Sequence, residues 1–249
     1  MLREARQSFI LNELKIRNRV LLVDIAQRLS VSEDTIRRDL KEMDGKGQLT
    51  KVHGGAIAKS FYPFSYNKGD IYDQPNKELI ANKAVSLIRS GQTALITGGT
   101  TNLEFISKLP ADLSATFFTP SLQAATQLAK HPSVEVILIG GKVSREAQVS
   151  LGADAVNALS QIKADLCFLG TGYVDLANGL SEFDWDVVQL KKAMIRSSNK
   201  IISLILSAKL NSAQRYQVCP IQSIHTLVTE LDPGDPMLKD YCAVCKEMI

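Results

Sequence analysis

The stretch VSEDTIRRDL at residues 31–40 decides the fold of the first part of this 249-residue chain. Ile36 and Leu40 within it, and Met43 beyond it, repeat at the spacing of one helix face, which must pack on its own domain. Ser32 stands at a cap position, where its hydroxyl can accept from a backbone N–H two or three residues later. The opposite face and its flanks carry Asp34, Thr35, Arg37, Arg38 and Lys41. The stretch therefore predicts a capped helix with one buried side and a charged outward side.

The outward side chains have the chemistry of a DNA reader. Arginine can bind guanine through two hydrogen bonds or hold a phosphate, and threonine can reach base edges or phosphate oxygens. An ordinary solvated helix with two adjacent arginines is the alternative that this helix alone would favour. Asp39 is expected to pair with a neighbouring cation, because phosphates repel a carboxylate.

Two helices precede this stretch and a hairpin follows it. Hydrophobic spacing predicts helices over Arg3–Arg17 and Val23–Leu29, and Ser30-Val31 makes a tight turn into the third helix. In this helix-turn-helix order, the second helix of the pair enters the major groove. Residues 46–59 predict two short strands joined at Gly54-Gly55, which form a wing whose donors meet phosphate. The predicted DNA contacts are Ser32, Thr35, Arg37, Arg38, Lys41, Lys51 and His53, although His53 is equally suited to stabilising the wing turn.

Residues 6–56 resemble the DNA-binding domain of the DeoR family of bacterial transcriptional regulators. The most specific matches are TIRRDL at residues 35–40 and VHGGA at residues 52–56. The other matching residues are Arg6-Gln7, Asp24-Ile25-Ala26, Leu29, Val31-Ser32 and Lys51. The resemblance implies that the helix with Arg37 and Arg38 lies in the major groove of operator DNA, and that the wing touches the DNA backbone.

The charge distribution supports a nucleic-acid partner. The net charge is only +3, but residues 1–60 hold 12 Lys and Arg against 8 Asp and Glu. Positive charge is therefore concentrated in the part expected to meet phosphates. Because this excess is small, we expect a homo-oligomer, a dimer or tetramer, to supply the affinity.

Targeting and cysteine patterns predict a cytoplasmic protein. Arg3 and Glu4 follow the first methionine, and no apolar stretch is long enough for a signal peptide or a membrane span. Cys242 and Cys245 form a CxxC without a second pair of ligands, so two thiols in a C-terminal helix are favoured over a zinc or redox site. No metal and no cofactor are expected.

Residues 59–77 break all periodicity and separate two domains. Pro63, Gly69 and Pro75 oppose a helix or a central strand there, and the stretch also contains five of the chain's aromatic residues. Those aromatics predict a linker that docks on one of the domains. The predicted organisation is a DNA-binding domain at 1–58, a linker at 59–76 and an effector-sensing domain at 77–249.

The second domain alternates helices with short apolar strands, which predicts an open, mostly parallel α/β sheet. The predicted strands are Thr93–Thr97, Ala115–Thr119, Val134–Ile139, Leu166–Leu169, Ile201–Leu206 and Thr226–Val228. The predicted helices are Glu78–Ser90, Asn102–Leu109, Leu122–Lys130, Ala155–Ser160 and Asp186–Ser198. The fold class is α/β, with a winged helix-turn-helix domain before this larger domain.

Glycine- and hydroxyl-rich loops follow several of these strands, where open α/β sheets bind ligands. The loop TGGTTN at residues 97–102 precedes a helix, whose N-terminus favours an anion, but it lacks the ending of a P-loop. Similar loops follow at Thr119 to Ser121, Gly140-Gly141 and Gly170, and Lys209 offers a cation. The predicted effector contacts are Gly98, Gly99, Thr100, Thr101, Asn102, Thr119, Ser121, Gly140, Gly141, Gly170 and Lys209.

Residues 77–230 resemble the effector domain of the same family, a relative of the ribose-phosphate isomerase and glucosamine-phosphate deaminase fold. The matching residues are Lys77, Ile80-Ala81, Gly99-Thr100-Thr101, Thr119, Ser121, Ile139-Gly140-Gly141, Gly152, Asp165, Phe168, Gly170, Gly179-Leu180, Lys191 and Lys209. The resemblance implies a pocket for a small phosphorylated metabolite whose binding releases operator DNA. Thr97, Pro120 and Leu206 depart from the acid, Asn and Asp that the family usually carries, which removes acceptors for sugar hydroxyls.

Two other functions remain open from the sequence. A sugar-phosphate isomerase or deaminase needs a positioned carboxylate base, and Thr97 and Leu206 argue against one. Five other carboxylates keep this alternative open: Asp165, Asp175, Glu182, Asp184 and Asp186. A constitutive DNA-binding protein with a degenerate sensor is the third possibility.

Overall fold

The computed structural model describes residues 2–17, 19–58, 73–145 and 147–249. Contacts between residues divide the chain into two compact units, with the boundary between Tyr72 and Asp73. Each unit has its own core. The aromatic stretch predicted to dock as a linker lies for the most part outside the described residues. No helix among the described residues is long and apolar enough to cross a membrane.

The N-terminal unit is a three-helix domain with a small antiparallel sheet. Its elements are α1 (Arg3–Arg17), β1 (Arg19–Leu21), α2 (Leu22–Leu29), α3 (Glu33–Gly45), β2 (Thr50–Val52) and β3 (Gly55–Ile57). The strands lie in the order β1-β3-β2, so β1 extends the wing hairpin to three strands. The three helices and the hairpin confirm the predicted winged helix-turn-helix, whereas β1 was missed.

The predicted apolar face of α3 forms the centre of the N-terminal core. Ile36, Leu40 and Met43 are fully buried, and they belong to one cluster with Ile10 of α1 and Ile25 of α2. Burial of these side chains removes apolar surface from water and fixes the three helices against one another. The opposite side of α3 is thereby left on the surface.

The C-terminal unit is built on a seven-stranded sheet in which all paired strands run parallel. Its strands are β4 (Thr93–Ile96), β5 (Thr116–Thr119), β6 (Glu135–Leu138), β9 (Ala164–Phe168), β12 (Ser198–Leu204), β14 (Thr226–Val228) and β15 (Glu247–Met248). Their order is β15-β14-β12-β9-β4-β5-β6. All six predicted strands are present, and the sheet confirms the α/β class. The order also makes β9, β4 and β5 neighbours, so the loops after these strands share one edge.

Helices connect these strands. They are α4 (Gln74–Val85), α5 (Thr100–Ser107), α6 (Leu122–Leu128), α7 (Ala153–Ser160), α8 (Trp185–Arg196) and the short α9 (Lys239–Cys242). The prediction of a helix over Glu78–Ser90 was wrong at both ends. The helix begins at Gln74, because Pro75 lies in its first turn, where the missing N–H has no intrahelical partner to lose.

Additional strands escaped the sequence prediction. A hairpin is formed by β7 (Lys142–Ser144) and β8 (Val149–Leu151), and a second antiparallel sheet by β10 (Tyr173–Asp175), β11 (Gly179–Glu182) and β13 (Tyr216–Cys219). A Cβ on Gly179 would lie 2.1 Å from the carbonyl oxygen of Cys219, so β11 and β13 require a glycine at their closest approach.

Candidate functional site

The predicted recognition helix α3 is capped as expected. The hydroxyl of Ser32 accepts from the backbone N–H of Thr35 at 3.3 Å, and the two hydroxyl oxygens lie 2.9 Å apart. The cap satisfies one of the N–H groups that a helix start leaves free. Ser32 and Thr35, both predicted DNA contacts, therefore also stabilise the start of the helix. Ser32 is exposed and Thr35 is partly exposed.

The outward face of α3 carries three exposed cations, Arg37, Arg38 and Lys41. Arg37 forms an ion pair with Asp34, and the Nη2 atom of Arg38 lies 3.6 Å from Asp34 Oδ2. One carboxylate therefore contacts both guanidinium groups. Since none of these side chains is buried, each can exchange its contact for one with DNA at little cost in packing.

Asp39 points to the other side, into the domain. It is 3% exposed and accepts two hydrogen bonds from Arg6, from Nε at 2.7 Å and from Nη2 at 3.2 Å. The prediction that Asp39 pairs with a cation is confirmed. The paired guanidinium joins α1 to α3 and thus helps to hold the recognition helix in place.

A second buried carboxylate joins the first two helices. Glu13 is 5% exposed and accepts hydrogen bonds from Arg17 and from Arg28 of α2. Burial pushes the pKa of Glu13 upward, but the bonds from Arg28 and Arg17 outweigh it, and the net pKa lies below its usual value. Part of the positive charge of this unit is therefore neutralised internally rather than offered to DNA.

The wing presents its predicted donors at the surface. Lys51 and His53 are exposed, and the backbone N–H of Lys51 donates to Asp44 Oδ1 at 3.1 Å. Gly54 has φ +76 in the turn between β2 and β3, a conformation that favours glycine. The hairpin is therefore fixed to the end of α3 while its cationic side chains remain accessible.

In the C-terminal unit, the loop after β4 is organised by Thr97. Its hydroxyl accepts from the N–H of Gly170 at 2.7 Å and from Nδ2 of Asn102 at 3.0 Å. Asn102 also donates to the carbonyl of Thr97 at 3.0 Å and to that of Phe168 at 3.3 Å. The hydroxyl of Thr97 thus ties the loop after β4 to the loop after β9.

The carbonyl side of Asn102 has no such partner. Its Oδ1 atom is buried without a hydrogen-bond partner, although the residue is only 1% exposed. An unsatisfied buried acceptor is costly and calls for a donor from water or a ligand. Asn102 lies in the first turn of α5, after Thr100 and Thr101. Gly99, the residue before this helix, has φ +111.

Two buried lysines approach the loop after β9. Lys191 donates to the carbonyl of Gly170 at 2.7 Å, and Lys209 donates to the carbonyl of Thr171 at 3.2 Å. Each is 7% exposed, and Lys191 also forms an ion pair with Glu182. Lys209 was predicted as a site residue. Lys191 was not predicted as a site residue, because its place beside Gly170 depends on how α8 packs against the rest of the unit.

The other predicted effector residues differ in which parts of the C-terminal unit they contact. The hydroxyl of Thr119 donates to the carbonyl of Ile96 at 2.7 Å, and Ser121 caps α6. A Cβ on Gly98 would lie 2.7 Å from Ser121 Oγ, so the loops after β4 and β5 are in close contact. Gly140 and Gly141 follow the edge strand β6. A Cβ on Gly141 would lie 2.9 Å from the carbonyl oxygen of Leu151 and 3.5 Å from the Cβ of Ala155, in and just after the β7–β8 hairpin.

The five carboxylates considered for an isomerase are dispersed. Asp165 accepts from the N–H of Thr93 at 2.9 Å, near the amino ends of β4 and β9, opposite the predicted site. Asp175 holds a turn and Asp184 caps α8, whose first turn also contains Asp186. Glu182, the one beside the loop after β9, is paired with Lys191.

Metal ligation finds no support in the part of the chain that the structure describes. No group of three or more His, Cys, Asp or Glu side chains there is arranged to hold a metal ion. Cys242 is exposed and Cys245 is buried, and both are free thiols. The prediction that both lie in a C-terminal helix was wrong, because α9 ends at Cys242 and is only four residues long.

Two family profiles match this chain in the two units described above. The DeoR-like helix-turn-helix domain matches residues 6–60, and the DeoR C terminal sensor domain matches residues 73–231. The chain belongs to the DeoR family of transcriptional regulators. This is a family of regulators, not of enzymes, so the isomerase alternative is not supported.

Curated DeoR-type relatives match almost the whole chain. The HTH-type transcriptional regulator GolR of Listeria innocua is 30% identical over 90% of this chain and 89% of its own length. The transcriptional repressor GlcR of Bacillus subtilis is 28% identical over 94% and 91%, and the glycerol-3-phosphate regulon repressor of Escherichia coli is 26% identical over 92% and 91%. Among solved structures, ribose 5-phosphate isomerase A from Neisseria gonorrhoeae aligns with a TM-score of 0.41 and 18% identity over 55% of this chain and 53% of that chain.

Proposed function

We propose that this protein is a sequence-specific repressor of genes of sugar or related carbon metabolism, released from operator DNA by a phosphorylated metabolite. The observation that carries its DNA-binding part is the helix α3, which buries Ile36 and Leu40 and turns Arg37, Arg38 and Lys41 outward. A rigid helix with exposed arginines after a tight turn is the arrangement that reads base edges in the major groove.

The DNA contacts that we propose combine base reading and phosphate binding. Arg37 and Arg38 reach base edges, with Ser32, Thr35 and Lys41 beside them, and the exposed Lys51 and His53 of the wing meet the backbone. Phosphate contacts give affinity and base contacts give specificity. Because one reader domain carries few cations in excess, we propose a homo-oligomer that binds repeated half-sites, with recognition helices about 34–36 Å apart. A regulator that acts on operators in this way works in the cytoplasm.

Replacement of both arginines tests this assignment. An operator is first selected from a random duplex library with the wild-type protein. We expect Arg37→Ala/Arg38→Ala to lose about 1–3 kcal/mol for each base contact removed, while thermal unfolding is unchanged because neither side chain is buried. The control is Arg89→Ala/Lys130→Ala, which removes the same charge from exposed positions of the C-terminal unit. A footprint of the arginine variant equal to that of the wild type would exclude these residues as the reader.

The effector part of the proposal is supported by the edge where β4, β5 and β9 end. Backbone N–H groups at the start of α5 favour an anion, and Lys191 and Lys209 place two buried ammonium groups against the adjoining loop. We propose that Gly98 to Asn102 and Gly170 receive the phosphorylated ligand, with Lys209 as the opposing charge. Thr119 and Ser121 support the loop from the next strand, and Gly140-Gly141 border it from β6.

The orphaned acceptor on Asn102 suggests how the rest of the ligand is held. A hydroxyl on the metabolite can donate to Asn102 Oδ1, which replaces one of the acceptors lost at Thr97 and Leu206. We therefore expect a clear preference for phosphorylated over free sugars and weak discrimination among sugar stereoisomers. The name of the related glycerol-3-phosphate regulon repressor makes glycerol 3-phosphate one suitable probe.

A further inference from the structure

A carboxylate with one open oxygen lies beside the loop after β9. Glu182, the last residue of β11, forms its ion pair with Lys191 through Oε1, and Lys191 donates to the carbonyl of Gly170 at 2.7 Å. The other oxygen, Oε2, has no hydrogen-bond partner in the part of the chain that the structure describes, and it is not one of the buried polar atoms that lack a partner. This oxygen of Glu182 is therefore open to a donor from solvent or from a ligand.

Two aromatic side chains lie next to this carboxylate. Tyr216 of β13 is directly opposite Glu182 in the antiparallel pair, so both side chains are on the same face of that sheet. The ring of Trp185 packs edge-on against Tyr216, with 5.3 Å between the ring centroids. Trp185 is nevertheless 55% exposed, and it is the largest exposed hydrophobic side chain among the described residues. A large ring that is held in place yet open to water is suited to pack against a ligand.

The topology of α8 places Trp185 at the edge of the sheet that carries the proposed effector site. The helix begins at Trp185 and leads into β12, which runs parallel to β9. A helix that connects two parallel strands runs back along them, so its first residue lies toward their carboxyl ends. Lys191 follows in the same helix, about 9 Å further along its axis at the usual rise per residue. Trp185 therefore lies beyond the residue that contacts Gly170, on the side open to a ligand.

We propose that Glu182, Trp185 and Tyr216 form a subsite for the ring of a cyclic hexose phosphate. The phosphate binds at the loop before α5, Glu182 Oε2 accepts from a ring hydroxyl, and Trp185 packs against the C–H groups of one face of the ring. Because Lys191 offsets the charge of Glu182, the carboxylate does not exclude a phosphate nearby. The inference rests on the proposed function and narrows its ligand to a class, because an acyclic three-carbon phosphate presents no ring face to Trp185.

The fluorescence of Trp185, the chain's one tryptophan, reports on this subsite in the full-length protein. The DNA-free protein is titrated with glucose 6-phosphate, galactose 6-phosphate, glucosamine 6-phosphate, glycerol 3-phosphate and inorganic phosphate. We expect at least one hexose phosphate to change the emission in a saturable manner, whereas glycerol 3-phosphate and inorganic phosphate do not. Calorimetry gives the dissociation constants independently of the fluorophore.

Variants separate ring binding from phosphate binding. For the hexose phosphate that binds most tightly, we expect Trp185→Ala to raise the dissociation constant about tenfold and Trp185→Phe, which keeps an aromatic face, about twofold. We expect Glu182→Gln to raise it about fivefold, because a charged acceptor is replaced by a neutral one. None of the three should weaken the binding of inorganic phosphate. The control Met237→Ala removes another hydrophobic side chain, 51% exposed, and should bind as the wild type does. Thermal unfolding checks that each variant is folded.

The possible failures are distinguishable. If no phosphorylated compound binds the wild type, the effector part of the proposed function fails together with the subsite. If a hexose phosphate binds the wild type and folded Trp185→Ala equally, or if Trp185→Ala weakens inorganic phosphate by the same factor, the subsite is excluded while the phosphate site stands. Unaltered ligand binding with a lower sedimentation mass in Trp185→Ala would assign this tryptophan to a contact between copies of the chain instead.

Discussion

Asp34 lies on the outward face of α3 and contacts both arginines that we expect to read DNA. It pairs with Arg37 and lies 3.6 Å from Arg38, and its side chain is 63% exposed. Such an exposed pair contributes little to stability. Near DNA, however, a carboxylate at this place repels phosphates and restrains the directions in which the guanidinium groups reach. We therefore expect Asp34 to favour the selected operator over other sequences.

Replacement of Asp34 by alanine should weaken discrimination more than affinity. We expect Asp34→Ala to bind scrambled DNA more tightly than the wild type, because a negative charge near phosphates is lost, while its ratio of specific to non-specific affinity falls about tenfold. Anisotropy titrations of operator and scrambled duplexes at several salt concentrations measure both quantities. The matched control is Glu33→Ala, an exposed acid in the same turn. Identical selectivity in the two variants would show that Asp34 contributes only its charge.

Lys77 gives a prediction about pH. Burial lowers its pKa to about 8, against the attraction of Asp73 and Glu104, while in the unfolded chain it keeps its usual value near 10.5. Between these values the unfolded state binds more protons, so the stability of the C-terminal unit should rise with pH. Urea unfolding followed by the fluorescence of Trp185, the chain's one tryptophan, measures this. The rise should be smaller in Lys77→Met. A rise of equal size in that variant would assign it to other groups.

Individual residues differ in how far the sequence predicted them. The cap at Ser32 and the pairing of Asp39 with a cation followed from local spacing and charge, and the structure confirms both. The place of Lys191 beside Gly170 did not follow from local rules, because it depends on contacts between residues far apart in the chain. Local rules describe a residue's own helix or turn, whereas a ligand site is assembled from several.

At the scale of elements, the sequence predicted the helices and strands that have a clear hydrophobic pattern. The helices of the reader and the six apolar strands of the sheet were recognised because their hydrophobic repeats extend over several residues. The strands β1, β7, β8, β10, β11, β13 and β15 were missed, although recognised strands such as β4 and β14 are equally short. Their pairing is decided by tertiary contacts, as at Gly179, and not by an alternating pattern of their own.

The ends of elements were less accurate than their existence. Pro75 was interpreted as opposing a helix, yet it lies in the first turn of α4, where proline is tolerated. The helix therefore begins within the stretch 59–76 that we assigned to a linker. A proline is compatible both with a break between helices and with the first turn of a helix, and residue spacing alone does not distinguish the two.

For the whole molecule, the proposed function requires that metabolite binding in one unit and DNA binding in the other are thermodynamically linked. A metabolite that binds the DNA-free protein more tightly than the DNA-bound protein must weaken operator affinity by the same factor. The reader and the sensor each have their own core and their own family profile. The proposed release of DNA by a ligand therefore requires both units together.

The measurement that tests this most directly is operator release from the full-length protein. The wild-type complex with labelled operator is titrated with glycerol 3-phosphate, glucose 6-phosphate, inorganic phosphate, glycerol and glucose, and release is followed by fluorescence anisotropy. We expect at least one phosphorylated sugar or polyol to release the DNA while its unphosphorylated counterpart does not, and Lys209→Met to require roughly tenfold more of it. Ser160→Ala, a change on the exposed end of α7, serves as the control. Operator that stays bound with every phosphorylated compound, and a Lys209→Met variant that behaves as the wild type, would contradict the account and indicate a reader without a working sensor.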